Sequence, residues 1–448
     1  MPQPTTPDEI ISIVSKFSNS TSIDVCNINN KIIKHIVISI AEILSYIFNL
    51  SIKQGIFPSC LKISKIVPIF KSGSSQALSN YRPISIVPAF SKILEKIMKN
   101  RLDIYLEKNN IIIKEQYGFK KNCSTELALI TYLNDIYKNH NDNLFTIATY
   151  IDFTEAFDSI NHQILLQKLK FYGIDENPLK WFQSYLTNRQ QFVQINLASS
   201  SHQFISSGVP QGSILGPLLF LIFINDIHSC SNTNYIIYAD DTTIYNSSSD
   251  IHHLYLDMNT TLNNINKWSQ SNRLSINISK TKYMIFNKNI KSINNIIKIG
   301  NDEVYQVDSF KLLGVIIDNN LNYKEHINNL TKKINKSIGI INKIKFFLLK
   351  STLITLYYSI IFSYIYYGNL IWGSTYITYL SQIYKVQKKF SYIIINSSNN
   401  RQNLSISDIL ARYKILTIFE INIFKSCLFF YKIFLGNTLF LNTTYIYN

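Results

Sequence analysis

The chain has 448 residues, with 44 Lys and Arg against 28 Asp and Glu, for a formal net charge of +16. That length can bury a large core divided into two or three subdomains, and the charge fits a protein that follows a phosphate backbone. Joint abundance of Ile, Asn, Lys and Tyr has the look of AT-rich coding, so the charge is supporting evidence only. Cys26, Cys60, Cys123, Cys230 and Cys427 are scattered with no C-x-x-C pair, which points to neither a disulfide framework nor a structural zinc site and fits a reducing compartment. Met1-Pro2-Gln3-Pro4 does not open a signal peptide.

In chain order, Thr6-Pro7-Asp8-Glu9 reads as a capping box with Pro at the first helical position. A polar, loop-like stretch over Ser18 to Asn30 precedes an apolar-periodic helix over Ile32 to Leu50. The patterns further predict a strand over Thr146 to Asp152, a helix over Ile160 to Tyr172, and a strand pair at Phe192 to Ile195 and His202 to Ser206. A helix follows Ser213, then two short strands flanking Ala239-Asp240-Asp241, a helix over His252 to Asn272 and a strand at Tyr283 to Phe286. From about Asn322 the pattern is helical. The expected fold class is α+β, with antiparallel strands covered on one face by helices. Ser351 to Tyr384 carries no charge, but Ser359, Ser363, Gly368 and Asn369 interrupt it and tyrosine is spread throughout. A buried helical core is expected there rather than a membrane span.

The chemistry concentrates in Asp240-Asp241, two carboxylates held side by side in a tight turn between strands, with Asp152 at the end of another strand-like run. Adjacent like charges repel unless a cation neutralises them, and hard oxygen ligands suit Mg²⁺. Three acids at strand ends are what two-metal phosphoryl transfer needs. An isolated Asp-Asp would be read as a polar turn, but its setting changes that.

Asn80-Tyr81-Arg82-Pro83-Ile84-Ser85 and Gln116-Tyr117-Gly118-Phe119-Lys120 come first, followed by Tyr150-Ile151-Asp152-Phe153-Thr154-Glu155-Ala156-Phe157-Asp158. Ser207-Gly208-Val209-Pro210-Gln211-Gly212-Ser213-Ile214-Leu215-Gly216-Pro217 precedes Phe223-Ile224-Asn225-Asp226-Ile227 and Tyr238-Ala239-Asp240-Asp241. Ser279-Lys280-Thr281-Lys282 and Phe310-Lys311-Leu312-Leu313-Gly314 close the series. In order and spacing these motifs resemble those of reverse transcriptases, and the long Gly-Val-Pro-Gln-Gly-Ser-Ile-Leu-Gly-Pro form is similar to the non-LTR (LINE-type, Jockey/CR1-like) retrotransposon polymerases.

The resemblance implies a right-hand polymerase: a helical N-terminal extension over residues 1–60, fingers and palm over 61–300, and primer grip with helical thumb over 301–448. It implies an RNA-directed DNA polymerase extending a DNA primer on an RNA template with dNTPs and two Mg²⁺ ions, Mn²⁺ being the alternative. Asp152, Asp240 and Asp241 would hold the metals, and Lys280 would be the general acid to pyrophosphate, with Lys282 competing. Phe153, Phe157, Gln211, Gly212, Arg82 and Lys120 would face the nucleotide, Phe157 excluding a 2′-hydroxyl. Phe310, Leu312 and Gly314 would form the primer grip. Asp158 is expected to cap the next helix and His162 to make a structural hydrogen bond.

LINE-type elements usually pair the polymerase with an endonuclease, and no such constellation is visible in the sequence. No membrane partner is expected, and the implied location is intracellular, in the nucleus at the site of integration. The competing readings are a catalytically silent nucleic-acid-binding relic or fragment and a group II intron-type reverse transcriptase/maturase.

Overall fold

The computed structural model describes residues 3–286, 295–395 and 406–435. The final stretch of the expected thumb region, 436–448, and residues 396–405 within it lie outside the described residues.

Two helices open the chain, α1 (Pro7–Ser15) and α2 (Asn30–Gln54). Thr6 caps α1 by accepting from the Glu9 N–H, but Glu9 does not complete a capping box, because its carboxylate pairs with Arg101 at 3.0 Å. The N-terminal helices are not a separate unit. Ile10, Val14, Ile33 and Phe48 share one apolar cluster with Ile93 of α3 (Ala89–Lys108) and Trp181 of α6 (Glu176–Leu186). By length and composition α2 could also cross a membrane, although 39% of its most apolar window is buried inside the protein.

Strands β1 (Ile63–Phe70) and β2 (Tyr81–Ile86) form an antiparallel pair, and β1 runs parallel to β4 (Arg189–Ile195). The short β5 (Ala198–Ser199) and β6 (Gln203–Ile205) complete this first sheet against β4. The expected pair near residues 192–206 therefore exists, but it belongs to the sheet of β1 and β2.

The second sheet has the order β10-β11-β9-β3-β8-β7. Its strands are β3 (Phe145–Ile151), β7 (Asn234–Tyr238), β8 (Asp241–Ser248), β9 (Lys282–Phe286), β10 (Ile297–Ile299) and β11 (Asp302–Gln306). All its pairings are antiparallel except β11 with β9. Helices cover both faces of this sheet rather than the single face expected. Ile147, Ile151, Ile244 and Ile285 point into one cluster with Leu254 and Leu262 of α8 (Ile251–Ser271). Ala148, Tyr150, Tyr245 and Met284 point into the other, with Tyr132 and Leu133 of α4 (Thr125–Asn141). β3 is consequently buried from Thr146 to Ile151 on both faces instead of alternating between buried and exposed.

Beyond it, β12 (Ser309–Leu312) and β13 (Val315–Asp318) make a hairpin whose loop, Leu313-Gly314, has φ of +44° and +88° at its two residues. Such left-handed pairs match the natural twist of two-residue hairpins. Helices follow: α9 (Lys324–Ile344), a run over residues 350–372 broken at Gly368 (φ +62°), and Ile377–Ile395 and Ile418–Phe434. The uncharged run from Ser351 is thus divided among short helices up to Trp372 and the start of the helix Ile377–Ile395, with Leu353, Tyr357, Ile361 and Trp372 buried.

Candidate active site

Sheet register brings the three carboxylates together. β3 and β8 pair antiparallel up to Ile151 opposite Thr242, so the next residue on each side, Asp152 and Asp241, are neighbours at one sheet end. β7 and β8 close at Tyr238 opposite Asp241. The turn is therefore the two residues Ala239-Asp240, one fewer than expected, and Asp241 is already strand. Ala239 sits at φ +59°, a conformation that costs a residue other than Gly about 1–3 kcal/mol and needs support.

That support comes from Gln116, which the motif alone did not assign. Its Oε1 accepts from the N–H of Ala239 at 3.0 Å and of Gly118 at 2.7 Å, and the side chain is buried. Ile237 N–H donates to the Glu115 carbonyl at 2.9 Å and Tyr117 N–H to the Ile237 carbonyl at 2.7 Å, so residues 115–117 lie along β7 as an added parallel edge. A Cβ on Gly118 would overlap the Ala239 amide nitrogen, which explains the glycine.

Crowding shows in the acidities. Burial, then the charges of Asp240 and Asp152, push Asp241 up to about 6, with Lys71 opposing. Burial likewise raises Asp240, Asp152 adds to it, and Arg82 and Lys71 oppose. Asp241 still has an exposed surface, so its burial is the crowding of a cleft mouth rather than removal from water. Among the described residues no three acidic, His or Cys side chains are gathered closely enough to hold a metal ion as they stand. The three aspartates form an open, mutually repelling cradle.

The other expected residues divide into those near the cradle and those turned elsewhere. Lys280 Nζ lies 3.7 Å from Asp152 Oδ2 and is 64% exposed, a loose pair. Lys282 instead lies over the Tyr305 ring at 4.9 Å, which favours Lys280 of the two. Arg82, exposed on β2, acts electrostatically on Asp240. Lys71, just past β1, acts on both Asp240 and Asp241 and was missed, because a Lys before Ser-Gly looks like any loop residue. Lys120 Nζ donates to the Ile113 carbonyl at 3.0 Å, so it would have to release that bond to reach a nucleotide.

Phe157 stacks on Phe220, with centroids 4.3 Å apart, and meets Phe119 edge-on at 6.3 Å. Phe153, in contrast, is buried beside Trp268 in the sheet core. Its side chain is unavailable to a nucleotide, since alternation along the strand sends it to the face opposite Asp152. Gly212, at φ +123°, is required because a Cβ would lie 2.5 Å from the Ser85 carbonyl oxygen, while Ser85 N–H donates to the Gln211 carbonyl at 2.7 Å.

Behind this loop, buried Glu95 accepts from the N–H of Ile214 at 2.7 Å and Leu215 at 3.3 Å and anchors the start of α7 (Gly216–Ile224). Nothing in the spacing marked it. Asp158 does not cap a helix. Asn161 caps α5 (His162–Phe171), and Asp158 accepts from Gln211 Nε2 at 2.6 Å. His162 Nε2 bonds the Gly208 carbonyl at 2.7 Å, the structural role expected. Asn225 accepts from Ile113 N–H and donates to the Ile111 carbonyl and the Tyr172 hydroxyl, tying α7 to the segment ahead of Gln116.

At the β12–β13 hairpin, Phe310 stacks on Tyr150 at 4.1 Å and Leu312 is buried. Their side chains fix the hairpin to the sheet two residues from Asp152, leaving the backbone at Leu313-Gly314 as the surface. Tyr367 Oη donates to the Leu313 carbonyl at 2.6 Å and its ring lies 3.0 Å from where a Gly314 Cβ would be.

Residues 69–317, more than half of the chain, match the family described as reverse transcriptase (RNA-dependent DNA polymerase). The chain belongs to the reverse transcriptase family. It is 26% identical over 343 residues to the probable RNA-directed DNA polymerase from transposon BS of Drosophila melanogaster, a match covering 73% of this chain and 37% of that protein. It is 25% identical over 394 residues to the RNA-directed DNA polymerase from mobile element jockey of the same fly, covering 85% of this chain and 43% of that one. The probable polymerase from transposon X-element matches at 25% over 405 residues, covering 87% and 44%. The chain thus spans about four-tenths of the length of these relatives. The LINE-type character expected from the motifs agrees with them. Reverse transcriptases use divalent metal ions and nucleic-acid substrates.

Proposed function

We propose that this chain is the polymerase part of a non-LTR retrotransposon protein, an RNA-directed DNA polymerase that extends a DNA primer on an RNA template. The observation that carries the reading is the cradle of Asp152, Asp240 and Asp241, crowded enough to hold Asp241 near 6, within a chain of reverse transcriptase family. In this reading the β1–β2 sheet belongs to the fingers, the six-stranded sheet is the palm, and the helices from Lys324 onward form the thumb. The β12–β13 hairpin is the primer grip.

The three aspartates would hold two Mg²⁺ ions, with Mn²⁺ as substitute. Metal bound there would lower the pKa of the primer 3′-hydroxyl and neutralise charge on the triphosphate and departing pyrophosphate. Arg82 and Lys71 draw the triphosphate to the cleft from the fingers side. Lys280, beside Asp152, is placed to give a proton to the leaving pyrophosphate. Phe157, held flat by Phe220, packs under the sugar and leaves a 2′-hydroxyl neither room nor partner. The Leu313-Gly314 backbone, pinned by Tyr367, meets the primer strand. An endonuclease outside this chain would supply the primer at a nuclear target site.

Primer extension on an RNA template with Mg²⁺ and dNTPs tests the reading. The parent should extend, and Asp240→Asn, which removes a metal ligand while keeping the turn, should lower the rate by at least about 10³-fold. Tight template binding with no extension by the folded parent would instead identify a silent relic.

A further inference from the structure

Among the described residues two aromatic side chains sit on a left-handed backbone, Phe119 at φ +53° and Tyr323 at φ +57°. For a bulky residue that conformation is an outlier. Tyr323 is buried, and its N–H donates to Asp318 Oδ2 at 2.7 Å, so packing and a hydrogen bond hold it there. Phe119 has neither kind of support: its ring is 54% exposed, and its N–H has no hydrogen bond among the described residues. The chain on each side fixes where the ring stands. Gly118 packs on the catalytic turn, where a Cβ would overlap the Ala239 amide nitrogen, and its N–H donates to Gln116 Oε1. Lys120, the next residue, is tied to the Ile113 carbonyl at 3.0 Å. The Phe119 ring thus meets Phe157 edge-on, with 86° between the planes. Phe157 already rests on Phe220 at 4.3 Å, so one more edge contact does not offset a strained backbone and an exposed ring.

We infer that Phe119 is a base-stacking residue, whose ring lies against a nucleobase of the bound substrate, that of the incoming nucleotide or the unpaired template base opposite it. The inference rests on the polymerase reading above. Strained backbone persists where a bound state uses it, and a base laid on the ring would also cover its exposed face. Orientation supports this. A nucleobase stands roughly perpendicular to the mean plane of its sugar. With Phe157 flat beneath the sugar, a ring at 86° to Phe157 is nearly parallel to the base, which is the attitude stacking needs. Every base has a π-face, so one ring serves all four nucleotides. Lys120 and Lys121 follow directly, and basic residues beside an aromatic suit a base carried on a phosphate backbone. Phe157 then reads the sugar, and Phe119 holds the plane of the base.

The test uses a primed RNA template with a single-stranded overhang, Mg²⁺ and dTTP. It compares the parent with Phe119→Gly, Phe119→Ala and Phe119→Tyr, each checked for folding by circular dichroism. Phe119→Gly should have a higher urea midpoint than Phe119→Ala, the reverse of the usual order, because only glycine takes positive φ freely. Both should lower kcat/KM for dTTP by about 10-fold, the loss of one stacked base. Phe119→Tyr, which keeps the ring, should retain most of the activity. A loss in the KM of dTTP, with affinity for the primed template unchanged, would assign the incoming base. A loss in primed-template affinity that vanishes when the template is abasic at the templating position would assign the template base. Full activity in Phe119→Gly, an equal loss in Phe119→Tyr, or greater stability in Phe119→Ala than in Phe119→Gly would overturn the inference while the polymerase reading stands. So would a loss confined to the dNTP-over-rNTP ratio, which would make the ring only a wall for Phe157. A folded parent that binds neither dTTP nor the primed template would overturn both.

Discussion

Phe157 shows how the plane of one side chain is set by what holds it. Alone it is an apolar ring in the first turn after a strand, but Phe220 stacked beneath and Phe119 edge-on fix its plane. Phe157→Ala should therefore admit ribonucleotides, lowering the dNTP-over-rNTP ratio of kcat/KM by about 10-fold or more with the fold retained. Steady-state incorporation of dTTP against UTP would measure this, and an unchanged ratio would remove Phe157 from the role. At this scale the motifs named the three aspartates that the sheet register brings to one end, because phosphoryl transfer demands particular side chains in a particular order. They named the supporting residues poorly. Gln116, Glu95 and Lys71 are ordinary polar residues in helices, edges and loops, and only the folded chain brings them to Ala239, Ile214 and Asp240. Phe153 was misplaced for the same reason: being next to Asp152 in sequence puts it on the other face of the strand.

The β12–β13 hairpin and α9 are joined by a buried histidine. His326 Nδ1 accepts from the Ile316 N–H at 3.2 Å, so the folded state needs the ring neutral there. Burial first, and then Lys333 and Lys311, lower its pKa from 6.5 to about 4. A depressed folded pKa gives stability that is present above 6.5 and lost as pH falls toward 4, with a full span of about 3 kcal/mol. Urea melts of the parent and His326→Gln between pH 7.5 and 4 should show that loss in their difference, since Asp158 and Asp241, raised to about 6, contribute with the opposite sign in both proteins. A parent-minus-variant stability difference that stays constant from pH 6.5 to 4 would contradict the buried neutral ring. The secondary elements themselves were largely legible, since apolar spacing and caps such as Thr6 and Asn29 act locally. What escaped was membership. The β4–β6 pair lies in the first sheet, and the central sheet is covered on both faces, because strand partners are chosen by contacts far apart in sequence.

Across the molecule, the N-terminal helices share their core with the rest of the chain. Trp181 of α6 is fully buried, stacks on Tyr185 at 5.7 Å, meets Phe57 at 5.4 Å, and donates from Nε1 to Ser51 of α2 at 3.1 Å. Trp181→Ala should cost about 3–5 kcal/mol through lost burial and the cavity left behind. Denaturation followed by circular dichroism should show α1 and α2 unfolding together with β1–β4. A separate early transition for the N-terminal helices would show instead that they form their own unit.

By itself the sequence determined the family, the order of the elements and the three carboxylates, because each is written in local patterns or in residue types the chemistry cannot exchange. Tertiary structure alone decided how those carboxylates meet. The antiparallel register of β3 and β8 sets Asp152 beside Asp241, and Gln116, 123 residues before Ala239, holds the turn that joins β7 to β8. It also decided that Asp158 serves Gln211 rather than a helix end. A hydrogen bond is specified by where two groups lie in space, and for residues far apart in the chain that position exists only once the sheet and its covering helices have formed.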